Sequence, residues 1–166
     1  MSNGKVVNFF TGSLVIDGQN QPSQSLTLKR GVARFDLNVD VAGSAAIESL
    51  TLRNVAQSGY LFAQGEVAAS PADVERNDVT AHFDTALSAS TPGVLYVYEQ
   101  ENAGIEVSIE AVIDGQHKVL TKTLEGNLKR NTIYTVTVRK NAIDIVVKVD
   151  IDDWEPGEDT EIIPQL

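Results

Sequence analysis

The stretch from Arg130 to Trp154, RNTIYTVTVRKNAIDIVVKVDIDDW, decides the fold. Tyr134, Val136 and Val138 alternate with Ile133, Thr135 and Thr137. After Lys140-Asn141 the alternation resumes with Ile143, Ile145, Val147, Val149 and Ile151 on one face. A period of two sends successive side chains to opposite faces, so the stretch is predicted to be a strand, a short turn and a second strand. The second strand runs into the sole tryptophan, Trp154, and then into an acidic, proline-containing tail over 155–166.

The same period recurs upstream. Ala33, Phe35, Leu37, Val39 and Val41 alternate with Arg34, Asp36, Asn38 and Asp40, the pattern of a half-buried strand. Gly31 stands between two alternating runs, where a bulge or bend re-aims the chain. Lys5 to Ile16 is rich in valine, phenylalanine and isoleucine and stops at Asp17-Gly18, which predicts a first strand. Further strands are expected over 45–54, 59–62 and 80–86. The alanine- and acid-rich stretch 63–78 breaks the alternation, and a surface loop with one helical turn is expected there. The segment SASTPG, 88–93, carries a turn signal and is the expected position of any internal hinge, near 87–93.

The second half is more regular. Strands are expected over 94–99 and 105–113, the latter ending at Asp114-Gly115, a hairpin signal, with a return over 117–124 and a turn at Gly126-Asn127. Some ten short strands without helical periodicity predict an all-β fold, an antiparallel Greek-key β-sandwich. The expected organisation is one domain over 1–154 followed by the acidic tail, 155–166.

Composition narrows the function. The 166 residues are enough for one sizeable core, and there is no cysteine to build a disulfide framework, a thiolate metal site or a cysteine nucleophile. Thirteen lysines and arginines against 23 acids give a net charge of −10, which repels nucleic acid and anionic lipid. No apolar run is long enough to span a bilayer. The start, MSNGKVV, has neither a basic nor an apolar signal region, so an export signal, if the protein has one, lies outside this sequence.

Catalysis needs titratable groups or nucleophiles converging in a pocket. The two histidines, His82 and His117, fall on separate predicted strands, and no nucleophile elbow, zinc-protease motif or phosphate loop occurs. No enzymatic activity and no cofactor are expected. Asp150, Asp152, Asp153, Glu155, Glu158, Asp159 and Glu161 form the one acidic cluster, but its spacing is not that of an EF-hand and a solvated acidic end is expected rather than a calcium site. Trp154 reads either as a plug over one end of the sandwich or as a contact to a partner or glycan. Tyr96, Tyr98 and Tyr134 read as packing residues.

Taken in order, LKRGVARFDLNV, IESLTLRN, GYLF, LYVYEQEN, VSIEAVIDG, LKRNTIYTVTV and VVKVDIDDW resemble the fimbrillin family of type V pilus subunits. The shared anchors are short: R-x-V-A-R from Arg30, Y-V-Y-E from Tyr96 and R-N-x-x-Y-x-V from Arg130. The resemblance implies a transthyretin-like sandwich at the cell surface, in a fimbria or at the outer membrane, whose subunits join by strand donation. Carried onto this chain, it makes the tail the donor, with Trp154, Ile162, Ile163 and Leu166 as the partner-strand residues. The implied partners are copies of itself or related pilus subunits, with host or bacterial surface ligands besides. The rival readings are a monomeric adhesin or glycan-binding module, using an exposed tyrosine, the tryptophan or loop 63–78, and a fibre or decoration protein of another assembly.

Overall fold

A computed structural model describes residues 6–14 and 25–148. Among these residues the chain forms ten strands and no helix: β1 (Phe10–Thr11), β2 (Lys29–Arg30), β3 (Val32–Val39), β4 (Ala45–Ala56), β5 (Arg76–Leu87), β6 (Thr91–Tyr98), β7 (Glu106–Ile113), β8 (Gln116–Thr123), β9 (Ile133–Val138) and β10 (Ile143–Lys148). One sheet has the order β10-β9-β3-β6, the other β5-β4-β7-β8, and β1 pairs with β2 in a small ribbon.

The alternation explains the packing. Phe35 and Leu37 of β3 and Tyr134, Val136 and Val138 of β9 face Leu50, Leu52, Val107 and Ile109 of the other sheet, all in one buried cluster. Burial of that apolar area is the main stabilising term for a cysteine-free chain of this size. A second, smaller cluster lies on the outer face of the first sheet, where Val6 and Phe9 pack on Val32, Ile133, Tyr96 and Tyr98. Gly31 makes room for it: a Cβ there would stand 2.0 Å from the Phe9 ring, and the Gly31 N–H donates to Phe9 O at 2.8 Å. The Asp114-Gly115 pair closes the β7–β8 hairpin with both residues at positive φ, 50° and 77°, the geometry that matches strand twist in a two-residue turn.

Four expectations are corrected. The first sheet is mixed, not wholly antiparallel: β3 and β9 run parallel from Arg34↔Ile133 to Val39↔Val138. Parallel neighbours require a long crossover, and here the chain visits the whole second sheet between them. The stretch Gly59–Phe62 is not a strand, because among the described residues no partner edge reaches it, and Leu61 and Phe62 stand 57% and 54% exposed. The first strand shrinks to Phe10–Thr11 among the described residues. The loop contains no helical turn and ends early, since β5 already begins at Arg76 and is twelve residues long.

Candidate functional site

Each sheet has two edges. On one side of the sandwich β5 and β6 follow each other through Ser88–Ser90, so that side is bridged by the chain itself. On the other side stand β8 and β10, separated in the chain by β9 and joined, among the described residues, by side-chain bonds. At the start of β10 the seam is clipped: Lys118 Nζ donates to Lys140 O at 3.0 Å and to Asn141 Oδ1 at 2.7 Å, and Lys140 Nζ lies 2.7 Å from Asp114 Oδ2. Lys122 and Arg139 both reach Asp144, at 3.3 and 3.0 Å. The Arg139 bond first, then that of Lys122, holds the Asp144 carboxyl below its ordinary range, and Lys140 does the same for Asp114.

Beyond Asp144 the seam opens. A groove of about 240 Å³ lies between Leu124 on one side and Ile145 and Val147 on the other, with Lys122 and Glu125 at its rim. Val146 and Val147 are 52% and 44% exposed, although the alternation would bury one of them in a central strand. Among the described residues no strand covers the outer edge of β10. A strand edge with free N–H and C=O groups beside apolar pockets is a template for another strand.

Trp154, Ile162, Ile163 and Leu166 lie outside the described residues, as does the acidic cluster from Asp150 to Glu161. Among the described residues no group of three or more acidic or histidine side chains is arranged to hold a metal ion. His82 is exposed on β5, and His117 Nε2 sits 3.0 Å from Glu48 Oε2 on the surface, so the histidines are not brought together. Tyr134 is in the core, and Tyr96 and Tyr98 pack under Val6 and Phe9, the packing roles expected of them.

The three anchors of the fimbrillin resemblance do converge. Asn131 N–H donates to Val32 O at 2.9 Å and Arg34 N–H to Thr132 O at 3.0 Å, so R-x-V-A-R and R-N-x-x-Y-x-V begin the parallel β3–β9 pair together. Arg130 donates from Nε to Glu99, the last residue of Y-V-Y-E, and from its two other nitrogens to Leu61 O at 3.0 Å and Tyr60 O at 2.9 Å. The ion pair is nearly sealed from solvent, with side chains 12% and 10% exposed, and it fixes the 59–62 loop to the end of the first sheet. Spacing alone did not reveal this pair, because its partners are 31 residues apart; its signal was the presence of one charge in each anchor.

A family description, that of the bacterial Ig-like domain, matches residues 64–152, more than half of the chain. The chain belongs to that family. The Ig-like match takes in β5 to β10, and thus the whole β8/β10 side. No curated protein matches the sequence. Solved structures do. A candidate cell adhesion protein from Bacteroides uniformis is 14% identical with a TM-score of 0.52, the alignment covering 78% of this chain and 53% of that one. Another, from Parabacteroides distasonis, is 16% identical with a TM-score of 0.50, covering 74% and 52%. The tip fimbrial protein Mfa3 from Porphyromonas gingivalis, with a C-terminal truncation, is 15% identical over 73% of this chain and 51% of its own, at a TM-score of 0.45 that carries no argument. At such identities the likeness is one of fold, and at that level it agrees with the fimbrillin-like resemblance. The chain spans about half the length of the structures it matches.

Proposed function

We propose that this chain is a non-enzymatic structural subunit of a cell-surface fimbria or pilus, joined to copies of itself or to related subunits by β-strand donation. The observation that carries the reading is the outer edge of β10, uncovered among the described residues and flanked by the groove between Leu124 and Val147. Its location would be extracellular, and its topology a transthyretin-like Greek key. The fold neighbours described as candidate cell adhesion proteins support a surface role.

In this reading the sandwich over 1–154 is the accepting body and the tail over 155–166 the donor. Ile162, Ile163 and Leu166 would enter the groove of the next copy, and Trp154 would sit at the junction. The tail's acids match the cations along the seam, Lys118, Lys122 and Lys140. Main-chain bonds to the β10 edge would supply affinity, and apolar pockets at alternate positions specificity.

Light scattering and negative-stain imaging of the full chain and of a chain ending at Trp154 test the proposal. Filaments or ladders from the full chain alone support donation by the tail. If both chains stay monomeric at every concentration, self-assembly through this tail is wrong, and a ligand or a heterologous partner is to be sought instead.

A further inference from the structure

The outer face of the first sheet carries a second concavity, which no strand donation would use. It is a groove of about 460 Å³ whose floor is Asp36 and Asn38 of β3 and Thr135 and Thr137 of β9. A local irregularity opens it. Between the pairs Phe35↔Leu95 and Leu37↔Thr91 the β6 strand carries Pro92, Gly93 and Val94 against the single residue Asp36. The surplus lifts β6 away from β3, with Gly93 at a φ of 63° and its N–H donating to Asp36 Oδ1 at 2.8 Å. Bulges of this kind re-aim side chains beside functional sites.

The lining is chemically specific. Arg34 clamps Asp36 through two bonds, 2.7 and 2.9 Å, so the carboxylate is neutralised; Oδ1 also accepts the Gly93 N–H, and Oδ2 keeps room for a further donor. Asn38 is held by Thr137 and Ser90, at 3.3 and 2.7 Å, and presents a rigid amide. The Thr135 hydroxyl has no partner among the described residues. Pro92 and Val146 supply an apolar wall on either side. From these groups we infer that the groove is a binding site for a neutral carbohydrate. A sugar hydroxyl both donates and accepts, as hydroxyl, amide and clamped carboxylate require, and the C–H face of a pyranose suits Pro92 and Val146. The volume lies within the range of roughly 300–1,000 Å³ common for small-ligand sites. The alternatives fit less well. Anionic ligands meet a chain of net charge −10. A peptide strand needs free backbone, whereas β3 and β9 are central strands whose edges are already paired.

The test is a backbone-amide NMR titration of the full chain with glucose, galactose, mannose, N-acetylglucosamine and lactose, each at millimolar concentration. At least one is expected to shift Asn38, Thr135 and Thr137 together. Thr135→Val, which removes a hydroxyl without a partner among the described residues, weakens that binding about fivefold at unchanged melting temperature, and Thr135→Ser restores it. The inference is overturned if none of the five sugars shifts these residues, if Thr135→Val binds as the parent does, or if the groove responds only to a peptide of residues 155–166. Monomeric or polymeric behaviour of the chain bears on the strand-donation proposal alone; where the full chain polymerises, the same titration is read on the chain ending at Trp154.

Discussion

Tyr134 of β9 stacks on Phe35 of β3 inside the core, with ring centroids 5.1 Å apart and planes 17° from parallel. The two residues are register partners in the parallel pair, so the stack marks the point where the distant halves of the chain are joined. The Tyr134 hydroxyl donates to Asn127 O at 3.0 Å and accepts from Lys129 N–H at 2.9 Å, which fixes the approach to β9 as well.

Loss of that hydroxyl has a defined consequence. Tyr134→Phe leaves the part-buried Asn127 carbonyl and Lys129 N–H without their partner and is expected to cost about 0.5–1.5 kcal/mol, while Tyr134→Ala adds a cavity and costs about 3–5 kcal/mol. Urea unfolding measures both. Burial pushes the phenol up from its ordinary 10.0; the Lys129 N–H opposes the shift and the Glu99 charge adds to it. The fold therefore favours the neutral form. That contribution is complete below pH 10.0 and is lost as the pH rises through the higher folded value. The stability gap between parent and Tyr134→Phe is expected to narrow above that pH.

The Glu99–Arg130 pair makes a second, sharper case. Arg130→Met leaves a carboxylate stranded in a nearly sealed site and frees Tyr60 and Leu61. A loss of about 3–5 kcal/mol is expected. The double variant Glu99→Leu with Arg130→Met removes both charges, and its unfolding free energy is expected to lie above that of Arg130→Met alone. A double variant less stable than the single one would contradict the assignment.

Acid acts at the other loop anchor. Ser70 hydrogen bonds, opposed by desolvation and aided by the Arg76 charge, lower the Glu101 carboxyl from 4.5 to about 2. Its contribution is present above 4.5 and fades as the pH falls toward 2. The side chain is half exposed, so solvent screening keeps the effect modest. The exchange protection of the Ser70 amide, whose N–H donates to Glu101 at 2.8 Å, is expected to fall over that window in the parent but to show no such pH step in Glu101→Gln.

Period-two alternation made β3, β4 and β6 to β10 legible, because each buries one face against a single core. The Asp-Gly hairpin was legible for a local reason, two adjacent residues that tolerate positive φ. Partner choice was not. Nothing within β3 or β9 announces that they run parallel, since pairing direction is settled by the path of the chain between them. The stretch Gly59–Phe62 misled because its apolar residues satisfy strand propensity while an arginine 70 positions away holds its carbonyls. The polar groove was equally hidden: Asp36, Asn38, Thr135 and Thr137 read as an ordinary solvated face until β3 and β9 are set side by side.

An edge strand that accepts a partner is sensitive to charge. Val147→Lys places an ammonium at the mouth of the Leu124–Ile145 groove and is expected to abolish polymers of the full chain. Because Val147 is 44% exposed near the end of an edge strand, the monomer's stability is expected to change by only about 1 kcal/mol. Thermal unfolding beside light scattering reads both quantities at once.

Strand acceptance at the β10 edge is tested most directly by titrating a peptide of residues 155–166 into isotope-labelled chain ending at Trp154. We expect resonance shifts and slowed amide exchange confined to Ile143–Lys148 and to Leu124 across the groove. Saturating peptide that leaves those amides unmoved, or that protects β5 instead, would contradict the account.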